Sequence, residues 1–219
     1  MYFKKNTKHK KDMIEKGVII MKLALGNIEI QFKKVELEFF DVSTEVFAQK
    51  NNKTLRETLN SKKYKKLEKI CITKYSEYLD TGLGQFLHIL KNNRDNYFKD
   101  FLNQSGDLQY IEFKIKDLNI HNLKGLYLFK VNDEIVYIGR CKDSFKKRIN
   151  IGYGRISPKN CYLDGQSTNC FINNLICTNY SEIDFYISSQ NENSTIESYE
   201  KLLIKSYKPK WNRYKMEKN

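Results

Sequence analysis

Two short clusters, Gly125-Leu126-Tyr127 and Tyr137-Ile138-Gly139, set two phenols ten residues apart within GLYLFKVNDEIVYIGR. A guanidinium follows at Arg148, and a carboxylate and a carboxamide lie near the end of the chain at Glu200 and Asn212. Hydrolysis of a phosphodiester uses groups of these types. The reaction needs an in-line nucleophile, neutralised charge and a stabilised leaving oxygen. A guanidinium fork matches phosphate oxygens, and a carboxylate can hold a hard divalent cation that acts as a Lewis acid. The competing reading is a plain hairpin. Its tyrosines would then be cross-strand core aromatics, and Arg148 a surface charge.

Those side chains need elements to hold them. Leu126 and Leu128 fall on one face of a strand, and Tyr127, Phe129 and Val131 on the other. Asn132-Asp133 is a turn signal. Ile135 to Ile138, β-branched and aromatic, returns as the second strand of an antiparallel hairpin. Asp143 or Ser144 can cap a helix carrying Phe145, Arg148 and Ile149. A polar stretch from Gly152 to about Asn174 reads as irregular. "IDFYIS", 183–188, is a third strand, and Ser194-Thr-Ile-Glu197 is a capping box opening a helix through Tyr207 that Pro209 stops.

These pieces, in this order over about 90 residues, resemble the GIY-YIG nuclease family. The first signature reads Gly125-Leu126-Tyr127, the second Tyr137-Ile138-Gly139, and Arg148 stands on the following helix. Near the end, "EKLLIKSYKPKWN" supplies Glu200, Leu203-Ile204, Pro209 and Asn212. The resemblance covers roughly residues 122–214 and does not extend to residues 1–118. It implies an α+β domain with a small three-stranded antiparallel sheet flanked by helices. It also implies metal-dependent hydrolysis of DNA.

The resemblance places a metal, Mg2+ or Mn2+, on Glu200. Arg148 would bind the scissile phosphate, and Tyr127 would accept a proton from the attacking water. Tyr137 would position that water or the phosphate. Arg140 matches a position that is often lysine in the family's repair nucleases, and Asn212 would buttress the site. Glu197, one turn before Glu200, competes for the metal, but its capping-box position explains it structurally. The chain also departs from the family pattern. One extra residue, at about Ser144, separates Tyr-Ile-Gly from the arginine helix. The place one turn after Arg148 is Gly152, where the family carries His or Tyr, and Tyr153 comes one later. In the long stretch that follows, Arg155 and Lys159 are candidates for phosphate contacts. Gln166, Ser167, Thr168 and Asn169 suit base edges or phosphates. A structured loop bracing the site explains them equally well.

The first half reads as an accessory, mainly helical mixed region over 21–118, with a soft boundary at about Asn119 and a basic tail over 1–20. Ile28, Ile30 and Phe32 alternate, as do Val35, Leu37 and Phe39, which gives one or two strands. Thr54-Leu-Arg-Glu57 is a capping box. Tyr64, Leu67, Cys71, Tyr75 and Tyr78 recur at helical spacing, a second helical segment carries Phe86, Leu87 and Leu90, and Ile111, Phe113 and Ile115 alternate. Lys62, Lys63, Lys65, Lys66 and Lys69 are either a solvated helix face or a DNA-facing stripe.

The 219 residues carry a net charge of +13, which suits a polyanionic partner because each cation near a phosphate releases counterions. An AT-rich genome, favouring Lys, Asn, Ile and Tyr, would also produce it. No apolar run reaches membrane-spanning length, and the five cysteines, an odd number, fit reduced thiols in the cytoplasm. With no CxxC pair and no histidine near Cys161, Cys170 and Cys177, a zinc site is not expected. The resulting expectation is a bacterial or phage-type DNA endonuclease of the restriction or mobile-element kind. A structure-selective repair nuclease and a catalytically silent DNA-binding module of the same fold are the alternatives. One site cuts one strand, so a double-strand break calls for a homodimer or successive nicks.

Overall fold

The computed structural model describes residues 13–15 and 18–212. In chain order the strands and α-helices are β1 (Met13–Glu15), β2 (Val18–Leu25), β3 (Ile28–Val35), β4 (Leu37–Ser43), α1 (Leu55–Leu59), α2 (Glu68–Lys74), α3 (Leu83–Asn92), β5 (Tyr110–Ile115), β6 (Gly125–Val131), β7 (Glu134–Cys141), α4 (Ser167–Asn179), β8 (Ile183–Ser189) and α5 (Asn193–Tyr207). A π-helix, Lys146–Tyr153, follows β7. Of the basic tail expected over 1–20, residues 1–12, 16 and 17 lie outside those described, and residues 13–15 and 18–20 are already strand.

The chain divides into two compact units that interleave along the sequence, rather than meeting at one boundary near 119. The first comprises residues 1–38, 115–148 and 181–219; the second comprises 39–114 and 149–180.

The first unit is an antiparallel sheet in the order β1-β2-β3-β8-β6-β7, with α5 on one face. The expected three strands, β8-β6-β7, are contiguous within it, but the sheet is wider than three. Lys33, Lys34 and Val35 of β3 pair with Ile187, Tyr186 and Phe185 of β8, and this joins the N-terminal hairpin to the sheet. Lys34 and Asp184 reinforce the junction with an ion pair at 2.6 Å. Met21, Leu23, Ile30 and Phe32 thereby share one core with Leu126, Leu128, Ile138 and Tyr186. Residues 18–35 belong to this sheet, not to an accessory region, because their apolar alternation is matched to that core face. From α5, Ile196 and Leu203 close the core.

The second unit is built on an aromatic core that includes Phe47, Tyr64, Phe86, Phe101 and Tyr162, beside the paired strands β4 and β5. The Thr54 capping box forms: Thr54 Oγ1 accepts from the Glu57 N–H at 3.2 Å, and Glu57 Oε2 accepts from the Thr54 N–H at 2.8 Å. The helical pattern from Tyr64 to Tyr78 is split among a 3-10 turn, α2 and a second 3-10 turn, but still buries Tyr64, Leu67, Cys71 and Tyr75. The stretch expected to be irregular to Asn174 turns helical at Ser167. Its organising residue is Asn173, fully buried, whose carboxamide bonds the N–H and C=O of Ile111 at 3.0 and 2.8 Å, and the C=O of Tyr153 at 2.6 Å. All five cysteines are free and buried. Among the described residues, no helix is long and apolar enough to cross a membrane.

Candidate active site

The hairpin β6–β7 turns at Asn132 and Asp133, both with positive φ (49° and 65°), a backbone these residue types tolerate well. Beyond the turn its register changes. Val131 and Lys130 pair with Glu134 and Ile135, whereas Phe129 pairs with Tyr137. Val136 is therefore an extra residue, a β-bulge. Without it, Tyr127 would oppose Ile138, and Tyr137 would sit on the opposite face of the sheet. With it, Tyr127 opposes Gly139, and both tyrosines stand on one face, ring centroids 6.1 Å apart. Phe129 and Phe185 pack around Tyr127 at 6.3 and 6.2 Å.

The glycines of the two clusters have separate jobs. A Cβ at Gly139 would stand 2.5 Å from both Cζ and Oη of Tyr127, so the phenol lies directly over this residue. At Gly125, φ is +149° and a Cβ would meet the Ser188 carbonyl oxygen at 2.1 Å. Gly139 makes room for a side chain; Gly125 lets two strands approach.

Asn212 and the residue before it secure the outer edge of β7. Asn212 Oδ1 accepts from the Ile138 N–H at 2.9 Å, and its Nδ2 donates to the Ile138 C=O at 2.8 Å. The Trp211 N–H donates to the carbonyl of the bulged Val136 at 2.8 Å. The carboxamide thus acts as a strand surrogate between Tyr137 and Gly139. Asn212→Ala should lower the unfolding free energy by about 1–3 kcal/mol. Denaturant titration checks this, with the midpoint falling and the slope unchanged.

Strand alternation sends Arg140 to the face opposite the tyrosines, alongside Leu126 and toward α5. There Arg140 Nη1 meets Glu200 Oε2 at 2.8 Å, their side chains 32% and 17% exposed. Glu200 follows Ile196 by four residues and precedes Leu203 by three, so it occupies a core-facing position of α5. Burial raises its carboxyl pKa above the ordinary value of 4.5, although Arg140, Arg148, Lys201 and Lys142 all pull it down. The Arg140 contact alone would hold the carboxyl low, but desolvation is the larger effect. Glu197 is differently engaged: it forms an ion pair with Lys142. The capping box expected to account for it is not formed, because the helix begins at Asn193 with no side-chain cap.

Arg148 is exposed on the π-helix. Ser144 starts that helix, its Oγ accepting from the Lys147 N–H at 3.2 Å. The guanidinium exerts its charge on groups of both sheet faces. It opposes the burial that raises Glu200, and the burial that pushes the Cys141 thiol up to about 11. A π-helix joins residues five apart, as the Gly154 N–H does to the Ile149 C=O at 2.6 Å. Tyr153, five after Arg148, is thus one turn on, where an α-helix would present Gly152. An inserted residue is accommodated this way without breaking a helix.

Tyr153 is buried and belongs to the second unit, as do the candidates of the long stretch after it, Arg155, Lys159, Gln166, Ser167, Thr168 and Asn169. Arg155, Lys159, Gln166 and Thr168 are exposed, and Ser167 opens α4. Asn169 is 5% exposed and donates to Gln166 Oε1 at 2.7 Å, so its side chain is committed within the fold. Val136, Gly139 and Lys142 carry geometry or charge at the site that residue types alone did not single out.

The donor set suits one kind of cation. Among the described residues, no group of three or more His, Cys, Asp or Glu is arranged to hold a metal. A single carboxylate oxygen donor, with no sulfur or imidazole beside it, fits a hard cation that takes its remaining ligands from water and substrate phosphate. The neighbouring guanidiniums favour that cation only once an anion joins it.

Over an aligned 132 residues the chain is 31% identical to Endonuclease II of Enterobacteria phage T4, covering 52% of this chain and 95% of that protein. No family model matches the chain. No solved structure matches it.

Proposed function

Because the chain belongs to the family of this phage endonuclease, we propose that it is a metal-dependent DNA endonuclease of the GIY-YIG type, in the restriction or mobile-element class. The observation that carries this reading is the half-buried Glu200 carboxylate held at a core position of α5 beside Arg140. A carboxylate kept there against its desolvation penalty favours a functional role.

In this reading Arg148 binds the scissile phosphate with its exposed guanidinium, and Arg140 hands Glu200 over when substrate arrives. Tyr127 is 1% exposed on the face of the sheet away from Glu200, so it would accept the proton of the attacking water only where substrate reaches around the outer edge of β7. Tyr137 orients the water or the phosphate, and Asn212 keeps β7 fixed so that both phenols stay in register. Glu200 would hold Mg2+ or Mn2+, which supplies Lewis-acid stabilisation of phosphate charge when bound. Double-strand cleavage then requires two copies or two successive nicks.

Mapping the ends produced in genomic DNA incubated with the protein and Mg2+ tests the class. Ends sharing one short sequence support restriction or mobile-element cleavage. Ends that follow branches or gaps regardless of sequence contradict it and favour a structure-selective repair nuclease.

A further inference from the structure

The two acidic side chains within the helical turns of α5 are both met by cations from the β7 end of the sheet. Glu200 faces Arg140, and Glu197 faces Lys142. Three lysines of this helix and its C-cap remain exposed and form no ion pair among the described residues: Lys201 and Lys205 within α5, and Lys208 at its C-cap. A spacing of four residues sets Lys201 and Lys205 about 40° apart on one face of α5, and Lys208 follows at the C-cap with a left-handed backbone (φ 46°), about 10 Å along the axis from Lys201. With Ile204 they line a surface depression of about 450 Å³. Glu197, one helical turn before Lys201 on this same face, has its charge offset by Lys142, so the positive stripe is not interrupted where it approaches Glu200.

We infer that the Lys201–Lys205–Lys208 face of α5 is a track for the phosphate backbone of the nucleic acid, leading away from the Glu200 centre. This rests on the proposed nuclease reading and adds to it where the flanking strand runs. Each DNA strand places one phosphate per 3.4 Å of helix axis, so the stripe spans about three nucleotides. Lysine is suited to this because its ammonium contacts phosphate as a point charge and reads no base edge. Cations near a helix C-terminus also complement its dipole. That role predicts a change in stability and none in DNA binding.

The test is salt-dependent binding of the full-length protein to a short labelled duplex, in EDTA so that no cleavage occurs. With Lys201, Lys205 and Lys208 all replaced by Gln, the slope of log K against log salt should become shallower by about 2.7, or 0.9 for each lysine. Between about 50 and 200 mM salt, the loss of affinity should shrink by about 40-fold. Replacing all three by Arg should keep the wild-type slope. An unchanged slope in the Gln variant, with wild-type binding and cleavage intact, overturns the track and leaves the nuclease reading standing. An unchanged slope on DNA together with lost affinity for polyglutamate overturns it in favour of an acidic protein partner. A shallow slope in the Arg variant as well overturns it in favour of a structural role. Wild-type protein that neither binds nor cuts DNA overturns the nuclease reading, and the track with it.

Discussion

Glu200→Gln is expected to reduce DNA cleavage by roughly 10³-fold or more while leaving DNA affinity within a few fold, because it removes the carboxylate proposed to hold the cation and preserves shape. The same substitution carries a second, independent readout. Burial raises the Glu200 carboxyl above its ordinary 4.5. Between the unfolded and the folded value, the folded protein holds more protons than the unfolded chain. The stability associated with this group is therefore fully present below the unfolded value and is lost as pH rises through the folded one. At neutral pH in EDTA, Glu200→Gln should melt no lower than wild type, and any advantage should vanish below about pH 4.5. A loss of cleavage accompanied by a large loss of stability at neutral pH would identify Glu200 as a structural partner of Arg140 instead.

Gly139→Ala should slow cleavage by about 10²-fold with DNA binding retained. The added methyl would stand 2.5 Å from the Tyr127 hydroxyl, and if Tyr127 is the proposed proton acceptor, displacements of about 1 Å there carry costs of that size. Overpacking against the ring should cost about 1–3 kcal/mol of stability. Gly125→Ala is not an equivalent test. Its φ of +149° and the 2.1 Å approach to the Ser188 carbonyl involve backbone, so the expected result is impaired folding. Combining Gly139→Ala with Tyr127→Phe separates position from chemistry. If the methyl acts through the phenol, the double variant should cleave no more slowly than Tyr127→Phe alone, because coupled residues are not additive. Single-turnover rates of the three variants decide this, and a Gly139→Ala rate equal to wild type would remove Tyr127 from the reaction.

The hairpin that carries these residues is legible in the sequence, because alternation and an Asn-Asp turn are local signals. The bulge at Val136 is not. It depends on Trp211 and Asn212 bonding the far edge of β7, a pairing across more than seventy residues. Yet the bulge places Tyr127 and Tyr137 on one face, so ten-residue spacing alone would mislead about where the phenols point. Glu200 offers a readable hint that is easily passed over: it interrupts the apolar stripe Ile196, Leu203 at a position that should face the core. The width of the sheet was hidden for a related reason. Ile30 and Phe32 announce a strand, but only the pairing of Lys33 to Val35 with Phe185 to Ile187 says which sheet it joins. The helix from Ser167 was obscured by its Ser, Thr and Asn content, which ordinarily marks turns. Buried hydrogen bonding by Asn173 overrides that preference.

The most direct measurement is supercoiled plasmid incubated with the purified protein, with Mg2+ and with EDTA, followed over time. Nicked and then linear DNA is expected with Mg2+, and intact supercoils with EDTA. Plasmids of varied sequence that are bound by the protein, yet remain uncut with Mg2+ or Mn2+, would contradict it and leave a binding module in place of an enzyme.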